Sequence, residues 1–213
     1  MVTCPVMRFG VLGPANGDLA ALEQGASLLL LRHHAEEVIY LGPDDALDRV
    51  VGGWARRLVG GDPTDHGIWG RAAARCVAGN PQEIDRFMAA ERQRERLKSL
   101  KCLPAATART VEILEGRVAV LLYDKALLDE EDILPASLLI FGKNKEPLVR
   151  QVGSRTFVSP GEFGGRGGIA LFADDAHGEV TVSMYERGGD VLESHAVAAT
   201  RTGRFTVLDK APG

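Results

Sequence analysis

Two lysines stand directly after an apolar run in the stretch LLIFGKNKEPL, residues 138–148. The run is typical of a buried strand, so its tip presents Lys143, Asn144 and Lys145. Ammonium groups beside the backbone amides of a glycine turn suit an anion, such as a phosphate or the carboxylate of a partner. The alternative is a loop whose lysines only reach solvent, and the sequence leaves both open.

The elements that must position this tip begin with alternating strands and helices. Strands are predicted at 8–12, 36–42 and 74–79, with an amphipathic helix in each interval. This β-α-β-α-β order favours right-handed crossovers and a parallel sheet. A further amphipathic helix is predicted at 80–100, with the charge run ERQRER as its solvated face.

From residue 110 onward, short runs separated by turn residues predict a second, mostly antiparallel sheet that stacks on the first. A single domain over residues 1–213 is expected, with 1–7 as disordered or additional N-terminal residues and 204–213 as a tail. An exposed apolar patch is expected on two late strands, EVTVSMYE and VLESHAVAA, if the chain binds a protein.

Ligands of parallel sheets gather beyond the carboxyl ends of the strands, so the turns after each run are the candidate site. These turns are Gly13–Gly17, Gly42–Asp44, Gly79–Pro81, Tyr123–Asp124 and Gly142–Lys145. In this order and spacing they resemble the calcineurin-like metallophosphoesterase family, especially its short bacterial and archaeal members. The resemblance implies a four-layer α/β/β/α sandwich of two stacked mixed β-sheets flanked by helices.

The family's turns read Asp-x-His-Gly-Asn, Gly-Asp, Gly-Asn-His, His-Gly and Gly-His-Thr-His, and their side chains hold two metal ions. The resemblance places the corresponding positions of this chain on Pro14, Asn16, Pro43, Asn80, Pro81, Tyr123, Lys143 and Lys145. Further candidates for the pocket are Asp44, Asp124, Asn144 and Arg150. Because proline ligates nothing and protonated lysine repels metal, no catalytic residue and no Mn, Fe or Zn dimetal site is expected.

Three functions are compatible with this pattern. The first is a catalytically inactive scaffold or regulatory module that binds a protein partner, as the retromer subunit that resembles these phosphoesterases does. The second is a sensor that binds an anion, a nucleotide or another phosphate-containing small molecule in the former active site. The third is a residual phosphoesterase with a rebuilt metal site.

Composition narrows the classes of partner. The formal net charge is −4 with scattered basic residues, which argues against nucleic-acid binding. The start MVTCPVMRFGVLG fits neither a signal peptide nor a spanning helix, so no membrane association is expected. Three distant cysteines without a CxxC motif favour a reducing compartment, and a cytoplasmic location is expected.

Overall fold

A computed structural model of the chain describes residues 7–175 and 177–197, with the backbone alone at Ala78. The tail predicted at 204–213 lies outside these residues, as does all of the predicted N-terminal segment except Met7. Among the described residues, no helix is both long and apolar enough to cross a membrane.

The first sheet of the described chain has six strands in the order β11-β10-β9-β1-β2-β3. Their bounds are β1 Arg8–Leu12, β2 Glu37–Tyr40, β3 Leu100–Cys102, β9 Ile169–Asp174, β10 Val180–Tyr185 and β11 Val191–Ala196. Strands β1, β2 and β3 are parallel, whereas β9 to β11 are antiparallel to their neighbours. The sheet is therefore mixed, and β1 joins its two halves.

The second sheet of the described chain has five strands in the order β4-β5-β6-β8-β7. Their bounds are β4 Arg109–Leu114, β5 Arg117–Leu122, β6 Leu138–Phe141, β7 Leu148–Val152 and β8 Arg155–Ser159. Strands β5, β6 and β8 are parallel, and an antiparallel strand closes each edge. The predicted class, two stacked mixed β-sheets flanked by helices, is confirmed.

Helices cover the outer faces of both sheets. Their bounds are α1 Leu19–Ser27 with a π-helical turn Leu28–Arg32, α2 Ala46–Val59, α3 Ile68–Ala78, α4 Pro81–Arg96 with a 3-10 turn Leu97–Ser99, a 3-10 turn Lys125–Leu127, and α5 Glu130–Ile133. Asp18 is the N-cap of α1, because its side chain accepts a hydrogen bond from the Ala21 amide at 2.9 Å.

Successive side chains of a strand point to opposite faces of the sheet, and this produces two cores on opposite faces of the first sheet. Phe9, Val11 and Ile39 face the second sheet and pack with Leu121 and Phe172 of the other strands. Leu12, Val38 and Tyr40 face the opposite side and pack against α1, the π-helical turn and α2. The outer face of the second sheet buries a smaller cluster around Leu139 and Phe141. These layers account for the sandwich.

The strand predicted at 74–79 is wrong, because those residues continue α3 and lead into the start of α4. The segment IWGRAAARCVA is rich in alanine, which has the highest helix propensity, and Val77 is one of its few β-branched residues. The third strand is β3, only three residues long, and it follows α4. So short a strand lacks the apolar periodicity by which the others were predicted.

Two further expectations are wrong. The sheets do not divide the chain into halves, because β9 to β11 add to the first sheet and three strands of the second are parallel. The run ERQRER is not uniformly solvated either, since Glu91 and Arg94 are each only 5% exposed. Their side chains join at 2.7 Å, and Arg71 of α3 contacts Glu91 at the same distance. This buried ion cluster attaches α3 to α4.

Candidate functional site

The carboxyl ends of strands from both sheets meet at one shallow cleft of about 310 Å³. Its lining comes from the turns after β1, β5 and β6 and from the segment before β9. The lining residues are Pro14, Asn16, Tyr123, Gly142, Lys143, Asn144, Lys145 and Glu162. The structure thus brings together six residues predicted for the pocket: Pro14, Asn16, Tyr123, Lys143, Asn144 and Lys145.

Glycines permit the turns to approach so closely. A Cβ on Gly13 would lie 1.8 Å from the Gly161 carbonyl oxygen, and one on Gly142 would lie 2.5 Å from that of Leu41. Hydrogen bonds connect the same segments: the Gly13 amide donates to the Gly168 carbonyl at 2.8 Å, and the Phe163 amide donates to the Pro14 carbonyl at 3.0 Å. The cleft therefore has walls of fixed backbone.

The turn after β6 is held by its neighbour after β5. The Lys143 amide donates to the Tyr123 carbonyl at 2.8 Å, and the Asn144 amide donates to the Gly142 carbonyl at 2.8 Å. The Asn144 side-chain amide donates to the Glu146 carbonyl at 2.6 Å. Three donors expected to face a ligand, the backbone amides of Lys143 and Asn144 and the Asn144 side chain, are thus already engaged with backbone carbonyls.

One ion pair and one hydrogen bond from an amide to a carboxylate determine the electrostatics of the cleft. The Lys143 Nζ lies 2.5 Å from Asp124 Oδ2, and this hydrogen bond is the main reason that the pKa of Asp124 lies below its ordinary value. Asn16 Nδ2 donates to Glu162 Oε2 at 2.6 Å. Lys145 forms no ion pair within the described residues. Two ammonium groups and two carboxylates therefore nearly balance at this end of the molecule.

The turn after β2 is organised around a buried phenol. The Tyr40 hydroxyl accepts from the Ala15 amide at 3.0 Å and donates to Asp44 Oδ1 at 2.8 Å. Burial raises the pKa of this phenol far above its ordinary value. The same Asp44 oxygen accepts from the Ala46 amide at 3.2 Å at the start of α2. Asp44 thus stabilises the turn, and neither it nor the exposed Pro43 is among the residues that line the cleft.

Asn80 and Pro81 have a different role from the one the resemblance assigns. Asn80 is the N-cap of α4: its side chain accepts from the Glu83 amide at 3.0 Å, and Pro81 is the first helical residue. The third parallel strand is instead followed by Leu103, Pro104 and Ala105. None of those three side chains carries a metal-ligating atom.

Arg150, the remaining candidate, is an exposed residue in the middle of the edge strand β7 and does not line the cleft. Glu162 does line it and was not predicted. The signal was the glycine-rich stretch GEFGGRGG, residues 161–168, which folds back over the turn after β1. Among the described residues, no three His, Cys, Asp or Glu side chains converge as a metal-binding group.

No protein-family model matches the sequence, and no curated protein matches it either. Solved structures do. A predicted phosphoesterase of Streptococcus pneumoniae superposes with a TM-score of 0.50 at 12% identity, over 91% of this chain and 99% of the other. A protein of Thermotoga maritima has a TM-score of 0.47 at 14% identity, over 84% of this chain and 99% of the other. A mutant of Vps29 from Entamoeba histolytica has a TM-score of 0.45 at 12% identity, over 89% of this chain and 99% of the other. At 12% identity, the similarity to the Streptococcus pneumoniae structure shows a shared fold and nothing about function.

Proposed function

We propose that this chain, which has the calcineurin-like phosphoesterase fold, works by binding a protein partner and does not hydrolyse phosphate esters. The observation that carries the proposal is the set of side chains at the strand ends. Pro14, Pro43 and Pro104 follow the three parallel strands of the first sheet, and Tyr123 and Lys143 follow two strands of the second. Hydrolysis in this fold depends on metal ligands in such places.

A two-metal site needs anionic oxygens and neutral imidazoles that hold both ions and activate a water. Proline and leucine offer no side-chain ligand, and a protonated lysine repels a cation. The carboxylates nearest the cleft are already engaged, Asp124 by Lys143 and Glu162 by Asn16. The residues present therefore do not fit a dimetal centre.

Binding of a protein is supported by large apolar side chains on the surface of the helical layer. Trp69 and Val77 of α3 are 80% and 90% exposed, and Ile84 and Met88 of α4 are 40% and 46% exposed. All four lie on α3 and α4, which pack against each other, and exposed apolar side chains that form one patch are typical of contact surfaces. The described residues of the two late strands do not form the expected patch: β10 is an inner strand with buried valines, and Val191 is the exposed large apolar side chain of β11. Residues 198 and 199 of that prediction lie outside the described residues.

A second candidate function is the binding of an anion in the cleft. Lys145 favours it, because this cation lines the cleft without an ion pair among the described residues. The balance of charges weakens it, because a phosphate would meet the Glu162 carboxylate and would compete with Asp124 for Lys143. Protein binding is therefore the better-supported function.

The decisive experiment combines metal analysis with assays of hydrolysis. The full chain is incubated with Mn²⁺ or Zn²⁺, desalted and analysed for bound metal, and then assayed with a phosphomonoester and a phosphodiester. A metal-dependent phosphoesterase treated in parallel is the positive control. We expect substoichiometric metal and no turnover above the blank.

Stoichiometric metal together with turnover would overturn the proposal and would establish a rebuilt metal site. The anion function has its own readout, which is thermal unfolding in the presence of phosphate and nucleotides. A ligand that binds only the folded state raises the melting temperature as its concentration exceeds the dissociation constant. A rise that disappears in Lys145→Gln would favour the sensor over the scaffold.

A further inference from the structure

A narrow apolar groove lies in the helical layer, between the π-helical turn, α2 and α4. We call it the Leu31 groove. Its volume is about 370 Å³, and its lining residues are Leu30, Leu31, Trp54, Arg57, Leu58, Gln93, Arg96 and Leu97. It shares no residue with the cleft at the strand ends. The second candidate function, binding of an anion in the cleft, makes no use of it.

The apolar lining is accessible from solvent. Leu31 is 56% exposed although Leu29 and Leu30, its neighbours in the π-helical turn, are buried. The turn widens to i→i+5 hydrogen bonds, with the His33 amide donating to the Leu28 carbonyl at 3.0 Å. Such π-helical turns are rare and occur often at functional sites. Trp54 is fixed beside Leu31 because its indole N–H donates to Glu23.

The charges around the groove are positive. Arg57 is paired with Glu23 at 2.5 Å, so that pair is neutral. Arg96 instead donates to the Leu30 carbonyl at 2.5 Å, and it has no carboxylate partner among the described residues. The Leu30 carbonyl belongs to the last turn of its helix, where carbonyl groups have no hydrogen-bond donor within the helix. Arg96 supplies that donor, and because its partner is an uncharged carbonyl, the positive charge of Arg96 is not neutralised. No acidic side chain lines the groove.

An adjoining hollow extends the same surface. It shares Leu31 and Trp54 with the groove, and Arg32 lines it without an ion pair in the described part of the chain. Uncompensated arginines thus flank an apolar floor in a protein whose formal net charge is −4. An arginine beside apolar surface binds a carboxylate through several donors at once. The charge complementary to this groove is negative.

We infer that the Leu31 groove docks a short amphipathic segment of a partner protein, whose leucine or aromatic side chain enters the groove while an adjacent Asp or Glu meets Arg96. The inference rests on the proposed function, because it names the surface and the kind of partner through which the chain would bind. A second copy of this chain fits less well. The exposed lining is far below the roughly 800 Å² per partner of a stable protein–protein interface.

In the test, random peptides displayed on phage are selected for binding to the full chain. The selected peptides are then synthesised, and their binding is measured by fluorescence anisotropy. We expect the selected peptides to combine an apolar anchor with neighbouring carboxylates. Leu31→Asp is expected to weaken their binding at least tenfold, because it places a carboxylate on the apolar floor beside the peptide's own acidic residue. Arg96→Gln is expected to weaken it severalfold and to reduce the dependence of binding on salt.

Matched controls separate the groove from general effects. Arg92→Gln removes the same charge from an exposed position of α4 outside the groove, and Ile113→Asp puts a carboxylate on an exposed apolar position of β4. Both are expected to bind within twofold of the wild type. Because Arg96 also stabilises the Leu30 carbonyl, circular dichroism must show an unchanged fold for Arg96→Gln. Leu31→Asp, at an exposed position, provides an independent test.

Three results would overturn the inference. They are that no peptide is selected, that the selected peptides lack acidic residues, or that Leu31→Asp and Arg96→Gln leave their binding unchanged. A concentration-dependent dimer that Leu31→Asp disrupts would overturn it as well, because a second copy would then occupy the groove. Failure here is distinct from failure of the proposed function. Stoichiometric metal with turnover refutes the inactive scaffold whatever the peptides do, whereas the absence of peptides refutes the groove alone.

Discussion

The cleft at the strand ends and the helical layer both contain Lys or Arg beside Asp or Glu, but in different surroundings. In the cleft, Lys143 and Asp124 have side chains that are 57% and 23% exposed, and water can replace each partner. In the helical layer, the side chains of Glu91 and Arg94 are 7% and 5% exposed, and the side chain of Arg71, which is 10% exposed, binds the same carboxylate. Removing one partner of an ion pair lowers the free energy of unfolding strongly only where water cannot reach the charge that is left.

The two regions also differ in what fixes their shape. Backbone segments separated by glycine form the walls of the cleft, whereas ion pairs between side chains attach α3 to α4. In the cleft, added atoms should therefore lower the stability of the protein and the loss of a charge should not. In the helical layer, the loss of a charge should lower the stability and an added atom should not. Four predictions test this contrast, in order of decreasing effect.

The largest effect is expected for Glu91→Gln. The substitution leaves Arg71 and Arg94 buried without their shared carboxylate, which should lower the free energy of unfolding by about 3 kcal/mol. Urea denaturation followed by circular dichroism measures the change. Glu95→Gln is the matched control, because Glu95 is 49% exposed, and it should lose less than about 1 kcal/mol. Equal losses for the two variants would contradict the contrast.

The next effect concerns added volume in the cleft. Gly13→Ala forces a methyl group against the Gly161 carbonyl, so the backbone must shift, and a loss of about 1–3 kcal/mol is expected. Gly70→Ala is the control: a Cβ there meets nothing within 4 Å, and alanine in a helix is worth roughly 0.5–1 kcal/mol over glycine. The two substitutions should therefore move the urea midpoint in opposite directions.

A smaller effect is expected for Tyr40→Phe. It removes the hydroxyl that accepts from the Ala15 amide and leaves this buried N–H unpaired, which costs about 1–2 kcal/mol. Because Tyr40 anchors the turn next to Pro14, amide exchange at Ala15 should also accelerate. Thermal unfolding and hydrogen exchange by NMR provide the two measurements. Unchanged exchange at Ala15 would show that the phenol does not hold this turn.

The smallest effect is expected for Lys143→Gln, whose stability in urea should be close to that of the wild type. Its readout is the titration of Asp124 by NMR, because loss of the ammonium should raise the pKa of this carboxyl toward its ordinary value. In the wild type the folded-state pKa is the lower one. The contribution of the pair is therefore present above the ordinary carboxyl pKa and is lost as pH falls through the lowered value. A titration identical in both proteins would contradict the pairing.

How far the sequence could predict the site depended on the length of each strand. The apolar runs of β1 and β6, five and four residues long, located the turns at Gly13 and Gly142 correctly, and the structure places both turns beside the cleft. The turn at Asn80 was misplaced because an alanine-rich helix was mistaken for a strand, while the true strand has three residues. Glu162 was missed although it lies in a glycine-rich stretch, because its contact with Asn16 depends on a backbone reversal far along the chain.

The sequence by itself determined the order of most elements, the glycine turns and the residue types that follow the strands, such as Pro14, Pro43 and Lys143, because these depend on local periodicity and residue type. Only the tertiary structure decided which charges meet. Lys143 finds Asp124, Glu91 lies between two arginines, and Arg96 is left beside an apolar groove without a carboxylate among the described residues. Burial and distance set the strength of those contacts, and neither is a property of one segment alone.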